Sequence, residues 1–132
     1  MTTATSFLMF AGSAQSAMDL YVATFPDSRI VRANRYVEGE SGPPGSIKVA
    51  VFILCGREFM CSDSPVKHDF SFTPASSIFV ECETAEQLDR VFAILSAGGQ
   101  VFMPLENYGF SRRFGWLSDR FGVSWQLNLA AE

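Results

Sequence analysis

Few side chains in this chain are of the types that transfer protons, attack carbonyls or hold metals, and their spacing decides what can be expected of them. The one histidine, His68, stands in Lys67-His68-Asp69, where an imidazole titrating near neutral pH has a carboxylate beside it, the pairing used in general acid–base catalysis. No nucleophile lies at a defined spacing from it, so His68 reads as a solvated loop residue. Cys55, Cys61 and Cys82 match no zinc or redox spacing, and their odd number closes no disulfide set. They read as free thiols in a reducing compartment. Cys61 lies two residues before Asp63 on an expected strand and would become a nucleophile if its pKa were lowered, but nothing in the local sequence demands the necessary cation. Packing is the expectation for it. With a single histidine, a His-plus-carboxylate metal cluster is also hard to assemble.

Two helices must position these residues. Ala14, Ala17, Met18, Tyr21, Val22 and Phe25 recur at three and four residues, with Ser13 placed to cap the start and Pro26 to stop the end. Leu88, Val91, Phe92 and Leu95 make a second stripe; Thr84 and Gln87 have capping-box spacing, and Gly98-Gly99 ends the turn. Short alternating runs predict strands near 5–10, 29–37, 46–54, 57–62, 76–82, 100–105, 110–118 and 121–129. The order is strand, helix, three strands, twice over, with the helical stripes offset by about seventy residues. Two loops, EGESGPPGS at Glu38 to Ser46 and the segment Ser62 to Ala75, punctuate the pattern without being long enough to separate independent domains. Each half needs the other to bury its apolar face. The expectation is one domain over 1–132, with modules of about 1–66 and 67–132.

Composition narrows the function classes. At 132 residues, 48% hydrophobic and 18% charged, the chain is a core-forming domain, and a formal charge of −4 argues against nucleic acid or an anionic membrane as partner. No run approaches the roughly 20 apolar residues of a membrane span, and MTTATSFLMFAGSAQ lacks the pattern of a secretory leader. A cytoplasmic protein is expected.

MFAGSAQSAMDLYVATFPDSRI resembles the opening of PhnB-like proteins, and SSIFVECETAEQLDRVFAILSAGGQ followed by YGFSRRFGWLSDRFGVSWQLNL resembles their second half. The most specific piece runs from Phe114-Gly115-Trp116 through Asp119-Arg120-Phe121-Gly122 to Gln126, where Gly122 suits a tight turn between twisted strands. These are the PhnB-like, or "3-demethylubiquinone-9 3-methyltransferase", branch of the vicinal oxygen chelate superfamily. The resemblance implies an α+β fold in which two paired βαβββ modules form a curved mixed sheet, the glyoxalase/bleomycin resistance-like fold, with helices outside, a ligand cup inside and homodimers among relatives.

On that fold, alternation sends Val123, Trp125, Leu127 and Leu129 to the helix and Ser124, Gln126 and Asn128 to the cup. Ile78 and Val80 go to the helix side, while Ser77, Phe79 and Glu81, and from the first strand Ser6, Leu8 and Phe10, go to the cup. Metal-dependent relatives place His or Glu at the counterparts of Ser6, Ser77 and Gln126. All three are neutral here, so the usual metal site is expected to be absent and no cofactor is called for. Ser6, Phe52, Cys61, Ser77, Tyr108, Trp116 and Gln126 are the candidate cup residues, with Phe110 able to stack on a ligand and Arg112 or Arg113 available to orient its polar groups. The methyltransferase label finds no support in the residues, because Gly39 to Gly45 is interrupted by two prolines and precedes a strand instead of forming the Gly-rich turn that holds S-adenosylmethionine. Binding of a small apolar or aromatic molecule is the leading expectation. A glyoxalase- or dioxygenase-like enzyme, an inactive interaction module and, ranked last, the 3-demethylubiquinone methyltransferase of the family label are the alternatives.

Overall fold

The computed structural model describes residues 1–131. Two compact units divide the chain, Met1–Asp69 and Phe70–Glu132. The first holds β1 (Ser6–Phe10), α1 (Ala14–Thr24), β2 (Arg29–Arg35), β3 (Ile47–Leu54) and β4 (Arg57–Asp63). The second holds β5 (Ser77–Glu81), α2 (Ala85–Ser96), β6 (Gln100–Glu106), β7 (Arg113–Ser118) and β8 (Ser124–Leu129). Each unit builds one four-stranded sheet, ordered β1-β4-β3-β2 in the first and β5-β8-β7-β6 in the second. In both, the first and last strands pair in parallel and the remaining neighbours antiparallel. Two helices with two mixed sheets in a repeated βαβββ order form the expected α+β fold. No helix among the described residues is long and apolar enough to cross a membrane.

The two helices start by different means. Thr84 accepts from the Gln87 N–H at 3.1 Å and Gln87 Oε1 accepts from the Glu83 N–H at 2.8 Å, so the expected reciprocal cap forms one residue wider on its return bond. Ser13 makes no side-chain cap on α1. Asp63, at the far end of β4, does that work instead. Its Oδ1 accepts from the N–H groups of Gly12 (2.9 Å) and Ala14 (3.0 Å), and its Oδ2 accepts from Ile47 N–H at 2.9 Å. One buried carboxylate therefore satisfies donors at the start of α1 and the start of β3, and its negative charge sits at the positive end of the helix.

Strand ends depart from the sequence pattern where turns intervene. The strand expected from 110 starts at Arg113, after a turn in which Gly109 takes φ 103°. The strand expected from 121 starts at Ser124, because Asp119 Oδ1 accepts from both Phe121 N–H (2.9 Å) and Val123 N–H (3.1 Å). Gly122 in that turn has φ 93°, a conformation glycine adopts without strain.

Register decides which side chains meet the helices. In the second unit, Ile78 pairs with Trp125 and Val80 with Leu127, while Gly115 pairs with Leu127 and Leu117 with Trp125. A Cβ on Gly115 would fall 2.6 Å from the Phe92 ring of α2, so this is the helix side, as alternation requires. In the first unit, Phe52 lies 6.5 Å from Tyr21 of α1 and stacks on Phe59 at 5.6 Å, which marks its helix side. Phe59 pairs with Ser6, Cys61 with Leu8 and Ala50, and Asp63 with Phe10. Ser6, Leu8 and Phe10 therefore point to the helix side of the sheet, together with Phe52 and Cys61, and not to the expected cup. The reason is that β1 reads Phe7-Leu8-Met9-Phe10, apolar on both faces, so alternation has no polar side to orient it.

Asp63→Ala strips the partner from three backbone donors and is expected to cost about 3–5 kcal/mol, whereas Ser13→Ala should change stability by less than about 0.5 kcal/mol. Urea unfolding of the two variants measures the contrast.

Candidate functional site

The sheet face away from α2 gathers polar and aromatic side chains from β5, β7 and β8. Ser77 pairs with Ser124, Phe79 with Gln126 and Glu81 with Asn128 across the parallel ladder, and Trp116 pairs with Gln126 across the antiparallel one. Buried Ser124 is the hub: its hydroxyl lies 2.6 Å from the Ser77 hydroxyl and accepts from Trp116 Nε1–H at 2.9 Å. Gln126 Nε2 reaches Ser77 Oγ at 3.4 Å, a long bond that leaves most of the amide's capacity unspent. Trp116 packs against Phe102 at 5.1 Å with the rings tilted by 56°, and Phe79 stands beside Gln126 with 54% of its surface exposed.

Further along β8, Asn128 donates through Nδ2 to both oxygens of Glu81, at 2.9 and 3.1 Å. That contact orients the amide. Its Oδ1 is then a buried acceptor with no hydrogen-bond partner, on a residue only 7% exposed. Beyond it, Phe114 anchors a cluster in which Tyr108 and Phe110 stack at 6.3 Å, each meeting Phe114 edge-on. The Tyr108 hydroxyl is spent on the Pro104 carbonyl at 2.5 Å.

Of the seven residues singled out from the sequence, Ser77, Trp116 and Gln126 share this face and form one network. Tyr108 packs at its Phe114 end. Ser6, Phe52 and Cys61 lie on the helix side of the first unit's sheet and leave the set. Burial, with Asp63 nearby, pushes the Cys61 thiol up to about 12, the opposite of what a nucleophile needs. His68 shares a 2.8 Å hydrogen bond with Ser64 in an exposed loop, which fits the loop role expected of it. Arg113 pairs with Asp89 of α2 at 2.9 Å, and Arg112 Nε–H donates to the Ala130 carbonyl at 2.8 Å. Neither arginine is placed to orient a ligand at Gln126.

Ser124, Asn128 and Phe102 complete the constellation. Alternation in Ser-Trp-Gln-Leu-Asn-Leu already put the first two on this face. What no pattern reveals is that Ser124 is shared between Ser77 and Trp116. The donor set does not fit a first-row metal: Ser77 and Gln126 are neutral and bonded to each other, Ser6 faces α1, and Glu81 is the carboxylate held by Asn128. Among the described residues no group of three or more His, Cys, Asp or Glu is arranged to hold an ion. The arrangement can grip and orient a molecule through stacking and neutral hydrogen bonds, and the hydroxyls next to Gln126, those of Ser77 and Ser124, are bonded to one another.

The family described as 3-demethylubiquinone-9 3-methyltransferase matches residues 2–128, nearly the whole chain. This chain belongs to that family. Its relatives place it in the vicinal oxygen chelate superfamily. A Bacillus cereus structure described as a putative 3-demethylubiquinone-9 3-methyltransferase, PhnB protein, is 51% identical, with a TM-score of 0.95 over 98% of this chain and 100% of that one. Protein YjdN of Escherichia coli K12 is 24% identical over 96% of this chain and 94% of its own length. A mutant of the fosfomycin resistance protein FosX from Listeria monocytogenes, complexed with Mn(II) and 1S,2S-dihydroxypropylphosphonic acid, shares the fold at a TM-score of 0.67 and 11% identity, covering 96% of this chain and 90% of that one.

The thiols should separate by reactivity. An acidic group whose folded pKa is raised stays neutral, so its contribution to stability is complete below the thiol's ordinary value and is lost as pH rises toward about 12 for Cys61. At pH 8, iodoacetamide should therefore alkylate exposed Cys55 in the folded protein and reach Cys61 only after denaturation, as peptide mass spectrometry will read. Equal native labelling of both would contradict the placement of Cys61.

Proposed function

We propose that this protein binds a small apolar or aromatic molecule on the face of its second sheet away from α2, without the superfamily's usual metal site. The observation that carries this reading is the orphaned Asn128 Oδ1, a buried acceptor aligned along β8 with the under-used amide of Gln126. A buried acceptor left without a partner costs about 1–3 kcal/mol, which a ligand that displaces the side chains covering it and supplies an N–H or O–H would recover. Exposed Phe79 and half-buried Trp116 flank Gln126 and supply stacking surface for a planar body. The favoured ligand is thus aromatic or apolar with one hydrogen-bond donor.

The methyltransferase reading draws only on the family's description. Gly39 to Gly45 leads into β3, not into a helix, and so offers no helix N-terminus of the kind that Rossmann-type S-adenosylmethionine sites use. The two units are read as one cooperative domain, acting in the cytoplasm, where the three free cysteines remain reduced. A homodimer is part of the proposal. The edge strands β2 and β6 carry exposed Val31 and Val101, surfaces that an assembled partner would cover.

Adjacent residues on β8 separate binding from packing. Trp125 is fully buried and donates through Nε1–H to Asp119 at 2.9 Å, so Trp125→Ala is expected to cost about 3–5 kcal/mol. Gln126→Ala should leave the melting temperature nearly unchanged while weakening the stabilisation produced by hits in a thermal-shift screen of aromatic metabolites. Hits that stabilise wild type and Gln126→Ala alike would remove Gln126 from the site. Sedimentation at micromolar concentration should give twice the 14.5 kDa chain mass, and a lone 14.5 kDa species across the accessible range would rule out a stable dimer.

A further inference from the structure

The first unit's sheet presents its own unexplained face, away from α1. On β2, Arg29 pairs with Ile53 and Arg32 with Val51, with a register shift between Ile30 and Arg32. Residues three apart in a regular strand point to opposite faces. Here Val31 is the extra residue of a bulge, and it brings both arginines to the side of Ile53 and Val51. Since those two partners are alternate residues of β3, the arginines emerge about 7 Å apart. Bulges are often used to re-aim a side chain in this way. Both arginines are exposed, and among the described residues neither enters an ion pair or a side-chain hydrogen bond.

Beside them runs an apolar row. Val51 pairs with Met60, and Met60 with Phe7, so the rung reads Arg32, Val51, Met60, Phe7 from one sheet edge to the other. Three strand spacings of about 4.8 Å make it roughly 14 Å long. Val51 is buried and forms the floor of the row, Met60 is half-buried, and Phe7, at its far end, is 52% exposed. Asn34 joins the arginines on the same face opposite Val49, and Glu58, opposite Ile53, is the acidic side chain there.

We propose that this face binds a small amphiphilic carboxylate, its carboxyl group held by Arg29 and Arg32 and its apolar body lying over Met60 and Phe7. Charge complementarity selects the head group. In a chain with a net charge of −4, two unpaired guanidinium groups set side by side form a local positive site, and their planar forks match a carboxylate's two oxygens. The apolar row selects the body, because inorganic anions would leave Phe7 and Met60 unused.

Amide-resolved NMR titration with 2-naphthoate, 2-naphthalenemethanol and inorganic phosphate tests it. Naphthoate should shift amides of β2 and β3 and, read at those amides, bind at least about tenfold more tightly than the neutral alcohol, whose binding at the Gln126 face would shift β7 and β8 instead. Arg29→Gln and Arg32→Gln should each weaken it, and the double variant, on the exposed edge strand and expected to fold, should bind naphthoate no better than the alcohol. Gln126→Ala should leave naphthoate binding unchanged. Equal affinity for acid and alcohol at the β2 and β3 amides would leave the arginines as charges guarding an edge strand and overturn the proposal. Phosphate binding as tight as naphthoate would overturn its apolar half. Naphthoate shifts confined to β7 and β8 and lost in Gln126→Ala would overturn it while leaving the second unit's site standing.

Discussion

The parallel pairing of first strand with last, β1 with β4 and β5 with β8, is the constraint on which the rest of each unit depends. A parallel pair cannot be closed by a tight turn, so the chain must cross over, and the helix that crosses covers one sheet face. The opposite face is thereby left for other work. Which residues occupy it follows from the pairing register alone: a slip of one residue would exchange Gln126 for Trp125 and empty the site.

Two aspartates hold that register from outside the ladders. Asp63 gathers N–H groups of Gly12, Ala14 and Ile47, which ties the end of β4 to the starts of α1 and β3. Asp119 does the equivalent for the closing hairpin, taking two backbone donors of the turn and the Trp125 indole N–H at 2.9 Å. Both carboxylates are buried and both are spent on donors that would otherwise be orphaned. They read in the sequence as ordinary polar residues near strand ends. These two buried aspartates serve architecture, while the two faces proposed for ligands offer mainly amides, hydroxyls, aromatic rings and a pair of arginines.

This division bears on how the family's description is understood. On the reading proposed here, Ser77 and Gln126 make this sheet face a surface of neutral hydrogen-bonding groups, and the family's description does not by itself assign it a chemistry. The Ser77–Ser124–Trp116 network fixes the indole, and Gln126 and Asn128 are left with capacity to recognise something.

Much of this was legible in the residues. The stripe from Leu88 to Leu95 with its Thr84 cap, and the strict alternation in Ser124 to Leu129, determined α2, β8 and the side on which Gln126 lies, because each pattern has one polar and one apolar face. Sequence resemblance supplied the repeated order of elements. What the residues left open were the faces of β1 and the role of Asp63. Phe7-Leu8-Met9-Phe10 is apolar throughout, so only pairing with Phe59, Cys61 and Asp63 decides that Ser6 turns toward the helix. The bulge at Val31 is equally silent in sequence, since one extra residue in an exposed strand changes no periodic pattern, yet it alone sets Arg29 and Arg32 side by side. Local alternation determines a face when the two faces differ in polarity; where they do not, hydrogen-bond partners tens of residues away make the choice.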